Sequence, residues 1–175
     1  MDQHSSASHP ASGFVTHSGF ALIELLGALA LTGILIGLAY PMVTDWMHRW
    51  HVIQSRARFE RDWRWARWSA QQSGQVIRLQ SLDHCHASRT AGWSCGWQTR
   101  FEATGQLLNE TRLPAGLTVD TKPSGSWRID AWGEPLSGGA SIVFQAGTDA
   151  APATELLCMN VVGRLRRIRG NSCSD

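Results

Sequence analysis

The sequence predicts an α+β fold: a long N-terminal helix, membrane-spanning in its first half and amphipathic in its second, packed on a mostly antiparallel β domain. Three observations carry this prediction. Residues 25–43 hold no charged side chain. Residues 45–73 contain neither proline nor glycine. From residue 75 onward the chain breaks into short, often alternating apolar runs divided by Gly, Pro, Asn, Asp and Ser. One long helix followed by strands, with no alternation of the two, argues against a doubly wound parallel sheet.

At about 1.5 Å of rise per residue, residues 20–43 are long enough to cross a hydrocarbon core of about 30 Å. A single carboxylate, Glu24, stands near the start of this run. Such a group costs on the order of 2.5–3.5 kcal/mol at a helix centre, and less near an end, so its presence calls for a partner. A cleaved secretory signal fits poorly. Ala28-Leu29-Ala30 imitates a small-x-small cleavage site, but the apolar run continues past it and Glu24 would fall inside the apolar region of the signal.

The stretch Gly19-Phe20-Ala21-Leu22-Ile23-Glu24-Leu25 resembles the processing site of type IV pilins and type II secretion pseudopilins. The resemblance implies that residues 1–19 are a leader and that a prepilin peptidase cuts after Gly19 and methylates the new N-terminal Phe20. It also implies that Glu24 pairs with the free amine of a neighbouring subunit during filament assembly. Such a pairing neutralises both charges in an apolar setting, the condition under which a buried carboxylate is tolerated. Pro41 falls where pilin helices often carry a loosening proline. The leader departs from the family in holding no Lys or Arg, only His4, His9 and His17.

Residues 44–74 are read as the amphipathic half of the helix, with Gly74 as its stop. Met42, Trp46, Trp50, Ile53 and Ala57 recur at helical spacing, and Phe59, Trp63, Ala66 and Ala70 continue on a shifted face. This Trp-rich stripe is expected to cover the sheet of the β domain. Trp65 and Trp68 lie off it, against sheet edges or neighbouring subunits.

Residues 75–175 are expected to form the globular β domain. Its predicted strands are QVIRLQSL, GWSCGWQTRF, GLTVD, SWRID, ASIVFQ, ELLCMNVV and GRLRRIR, with TKPSGS and GTDAAPAT as loops. Of the three pairings open to the four cysteines, Cys85–Cys95 and Cys158–Cys173 are favoured, because an exported chain meets an oxidising compartment. Each would close a loop of roughly 10–16 residues, worth about 2–3 kcal/mol. A metal site at His84, Cys85, His86 and Cys95 is disfavoured: adjacent ligands diverge, and the spacing matches no zinc pattern. No metal or cofactor is expected.

Hydrophobic residues at 43% and charged residues at 17% exclude a disordered chain. The sequence carries no phosphate-binding glycine loop, no HExxH and no GxSxG, and Glu60 and Asp62 stand among arginines as helix-face ion pairs would. An enzyme is therefore not expected. The sharp feature is basic: Arg164, Arg166, Arg167 and Arg169 follow Gly163, with no acid between Leu156 and Ser174. A strand leaving a turn at Gly163 places Arg164 and Arg166 on one face and Arg167 and Arg169 on the other.

WSCGW, FEATG and LLCMNVVGRLRR are similar to the GspH/FimT group of minor pilins and pseudopilins. That resemblance implies a single-pass protein of the bacterial inner membrane whose globular domain lies in the periplasm, and which joins a pilus or pseudopilus with other pilin subunits. It further implies DNA binding for natural transformation through Gly163, Arg164, Arg166 and Arg167, with Arg169 as an extension. The alternative is a type II secretion pseudopilin whose arginines make subunit contacts.

Overall fold

The computed structural model describes residues 22–82, 92–147, 152–168 and 172–173. Helix α1 is assigned over Leu22–Ser73, and the chain divides into two units, residues 1–40 and 41–175. Within the first unit the helix exposes Leu25, Leu29 and Ile36 and carries Glu24 in its first turn. Among the described residues no helix on its own is long and apolar enough to cross a membrane; Leu22–Gly37 and Met42–Ser73 pass that test only as a pair.

In the second unit α1 stops at Gly74, whose φ of 64° and 2.9 Å N–H bond to the Ala70 carbonyl form a left-handed cap. Among the described residues eight strands follow: β1 (Ile77–Ser81), β2 (Gly96–Phe101), β3 (Leu107–Arg112), β4 (Leu117–Lys122), β5 (Trp127–Ile129), β6 (Ala140–Ala146), β7 (Ala153–Met159) and β8 (Leu165–Ile168). They form two four-stranded sheets, ordered β3-β2-β1-β5 and β4-β6-β7-β8. Every pairing between these strands is antiparallel. The mostly antiparallel α+β prediction holds.

The core lies where α1 meets both sheets. Val52, Phe59, Trp63, Ala66 and Ala70 are buried at helical spacing, and the small alanines let the helix come close to the strands. Phe59 is the hub, with ring centroids 5.2 Å from Trp97, 5.9 Å from Trp127, 6.2 Å from Phe144 and 6.4 Å from Trp93. All four are edge-to-face, the geometry favoured by the ring quadrupole. One carboxylate is buried on this face: Asp62 Oδ2 accepts from Trp97 Nε1 at 2.9 Å and from the Thr111 hydroxyl at 2.7 Å. Those two donors meet the hydrogen-bonding need that makes a buried polar group costly. At the edge of the first sheet, hydrogen bonds from Arg78 and then Arg128 hold the Glu102 carboxyl below its usual range, joining β1 and β5 to the end of β2.

Four expectations need correction. Met42, Trp46, Trp50, Ile53 and Ala57 do not cover a sheet; all are exposed, and burial of the helix begins at Val52. Their periodicity marks a face to be covered, but the strands reach α1 only lower down. Trp93–Cys95 is a 3-10 turn and β2 starts at Gly96, where φ is 127° and an added Cβ would lie 2.0 Å from the Thr111 carbonyl oxygen. β3 was not anticipated. β7 ends at Met159, so Val161 and Val162 sit exposed in a turn instead of continuing a strand.

Candidate functional site

The β7–β8 hairpin carries the predicted arginines. Its turn is built by Asn160 and Gly163: the Gly163 N–H bonds the Asn160 carbonyl at 2.9 Å, and Asn160 Oδ1 accepts the Arg164 N–H at 2.8 Å. Gly163 has φ 78°, and a Cβ there would stand 3.0 Å from Pro135 and 3.2 Å from Arg67, so conformation and space both require glycine. Its carbonyl is gripped from α1 by Trp63 Nε1 at 2.9 Å and Arg67 Nη1 at 3.0 Å, while Arg67 Nε donates to the Gly133 carbonyl at 2.6 Å. Gly163 thus fixes the turn to the helix.

Register sorts the arginines. Arg166 stands opposite Cys158, and Arg167 opposite the buried Leu157. Cross-strand partners share a face, so Arg166 points away from the core side and Arg167 towards it. Arg167 meets Glu155 through Nε–Oε2 at 2.6 Å and Nη2–Oε1 at 2.7 Å, a bidentate pair, and Arg56 Nε of α1 lies 3.4 Å from the same carboxylate. Its charge is largely answered within the fold. Arg164 and Arg166 line a surface groove of about 380 Å³ with Asn160, Ile168 and the Cys158–Cys173 disulfide. Among the described residues no carboxylate pairs with the Arg164 guanidinium. Two forked cations on one rim suit a pair of neighbouring phosphates.

The Cys158–Cys173 pairing expected from sequence is present. Cys95 is disulfide-bonded; Cys85 lies outside the described residues, as do His84, His86 and Arg169. Gly19 and Phe20 lie outside them too, while Glu24 is exposed.

Residues 16–40 match the family model described as the prokaryotic N-terminal methylation motif. The fold is that of a solved minor pilin: the type IV minor pilin FimU of Pseudomonas aeruginosa (strain PAO1) superposes with TM-score 0.55 at 17% identity, over 71% of this chain and 92% of that one. The chain thus combines a pilin-like fold with an N-terminal methylation motif. A second crystal form of FimU matches this chain at TM-score 0.53 and 16% identity, over 67% of it and 93% of FimU. No curated protein matches the chain by sequence.

Sequence reasoning missed the hairpin's supporting residues. Asn160 was legible, since an Asn-x-x-Gly run is a turn signal. Glu155, Trp63 and Arg67 were not, because each reaches the hairpin only through tertiary contact.

Proposed function

We propose that this protein is a minor pilin, a subunit of a type IV pilus, that binds extracellular DNA through Arg164 and Arg166 for uptake in natural transformation. Residues 20–43 anchor it as a single pass in the bacterial inner membrane, with the β domain in the periplasm. Prepilin peptidase removes residues 1–19 after Gly19 and methylates Phe20, and Glu24 then guides the helix into the filament beside other pilin subunits. The supporting observation is the hairpin itself: Arg166, on the outward face of β8, and Arg164, in the turn before it, line one groove beside a strand pinned by a disulfide and gripped from the helix. Such a surface recognises the phosphate backbone and little sequence. Arg167, tied to Glu155, sets the strand's position, and Arg169 extends the basic run.

Binding to duplex DNAs of unrelated sequence across a salt series tests the DNA reading, using the full-length protein in detergent. Changing Arg164→Gln with Arg166→Gln is expected to weaken all the duplexes alike and to lower the steepness of the log-log salt dependence by about 1.8, at about 0.9 per lost phosphate contact. Unaltered affinity and slope would instead support a second reading, a GspH-like type II secretion pseudopilin with structural arginines. The assembly role has its own test. Glu24→Ala is expected to insert in the membrane at the wild-type level yet be missing from sheared filaments, and normal incorporation would refute the role given to this carboxylate.

A further inference from the structure

A second basic surface lies on α1, on the side turned away from the sheets. Arg58, Arg61 and Arg64 recur every third residue and so form one strip along the helix, with the Arg61 side chain 70% exposed. The nearby acids of α1 are largely engaged: Asp62 Oδ2 is buried on Trp97 and Thr111 while its Oδ1 lies 3.9 Å from Arg61 Nε, and the Glu60 carboxylate accepts from Arg56. Beside the strip, Arg112 of β3 completes a groove of about 750 Å³ in which Glu110 is the one carboxylate among the lining residues; it pairs with Arg112 at 2.8 Å. Four guanidiniums against one carboxylate leave the groove strongly positive.

Two exposed tryptophans adjoin these cations. Trp65 and Trp68 follow Arg61 and Arg64 by four residues, one turn along the same surface, and are 37% and 57% exposed. Alternating guanidiniums and aromatic faces is the arrangement that holds single-stranded nucleic acid, with cations on phosphates and bases stacked on rings. A duplex offers phosphates but keeps its base faces stacked inside, so it would use the arginines and leave the rings idle. The surface also runs on to the hairpin: Arg64 lines a second groove, of about 240 Å³, together with Arg67, Gly163 and Arg164.

We propose that the outward face of α1 binds single-stranded nucleic acid, with phosphates on Arg58, Arg61, Arg64 and Arg112 and bases stacked on Trp65 and Trp68. The track rests on the DNA-binding reading for its biological setting, but its chemistry is independent of Arg166.

The test uses full-length protein in detergent, labelled oligo(dT), a duplex of equal length and poly-glutamate as competitor, with the fold of each variant checked by near-UV circular dichroism. Arg58→Gln/Arg61→Gln/Arg64→Gln is expected to lower the salt slope for oligo(dT) by about 2, at about 0.7 per phosphate on a single strand. Trp65→Ala/Trp68→Ala is expected to weaken oligo(dT) at least about tenfold while leaving the duplex within about twofold, and Trp65→Phe/Trp68→Phe to restore much of the loss. Wild-type oligo(dT) binding by both helix variants would overturn the track whatever the hairpin variant does. Efficient competition by poly-glutamate, with the tryptophan variant unaffected, would overturn it in favour of an acidic protein partner. If Arg164→Gln/Arg166→Gln changes nothing while the helix variants fail, the hairpin reading falls and the track stands.

Discussion

Phe59→Ala is expected to destabilise the second unit by about 3–5 kcal/mol. The residue is 1% exposed and is the one ring in contact with four others, drawn from the 3-10 turn (Trp93), β2 (Trp97), β5 (Trp127) and β6 (Phe144). Alanine loses the transfer energy of a benzyl group and opens a cavity among large rings that cannot easily collapse into it, while each lost edge-to-face pair takes up to about 0.5–1.5 kcal/mol beyond area. A domain of ordinary stability has about 5–15 kcal/mol in all, so a large share of its margin would go. Denaturant unfolding followed by tryptophan fluorescence reads the loss directly. Trp68→Ala provides the contrast: at 57% exposure it should fall within about 0.5 kcal/mol of wild type. A cost near 1 kcal/mol for Phe59→Ala would mean that the rings do not form one packed cluster.

The contrast between Phe59 and Trp68 also shows what was legible in the sequence. Helical spacing identified Phe59, Trp63, Ala66 and Ala70 as a buried face, and Gly74 as its end, because local periodicity and a left-handed cap are written in neighbouring residues. The same spacing misled at Met42, Trp46, Trp50, Ile53 and Ala57. An apolar stripe states that a face needs a cover and says nothing of which element supplies it. β3 escaped notice because Leu-Leu-Asn-Glu-Thr-Arg has no alternation; as an edge strand it buries none of its residues fully. At the hairpin, alternation separated Arg166 from Arg167 correctly, since a strand's period is local. It did not show that Arg167 would meet Glu155 and Arg56, or that Trp63 and Arg67 would hold the Gly163 carbonyl. Those contacts join residues 100 and 96 positions apart for Gly163, and no pattern along the chain encodes them.

Cys158→Ser/Cys173→Ser is expected to lower stability by about 3 kcal/mol and, on the proposed DNA-binding reading, to weaken duplex binding without changing its salt slope. The bridge spans 15 residues, which sets the stability cost in the chain-entropy account. Its effect on binding has a different origin. β8 is four residues long, lies at the edge of its sheet and pairs only with β7, so the disulfide is a principal restraint on its outward side. Without it Arg164 and Arg166 keep their charge, and on the proposed reading the number of phosphates they would neutralise is unchanged, which preserves the slope. The loss is in preorganisation: ordering a rotamer-rich side chain on binding costs about 0.5–1.5 kcal/mol, so two such side chains weaken affinity about tenfold. Mutation is the clean route, because a reductant would also open the bond at Cys95. Salt titrations of the double variant beside wild type separate the two effects. An unchanged affinity would show that the grip of Trp63 and Arg67 on Gly163, with the Glu155–Arg167 pair, holds the basic face in place unaided. A shallower slope would mean that the disulfide decides how many arginines reach the DNA at all.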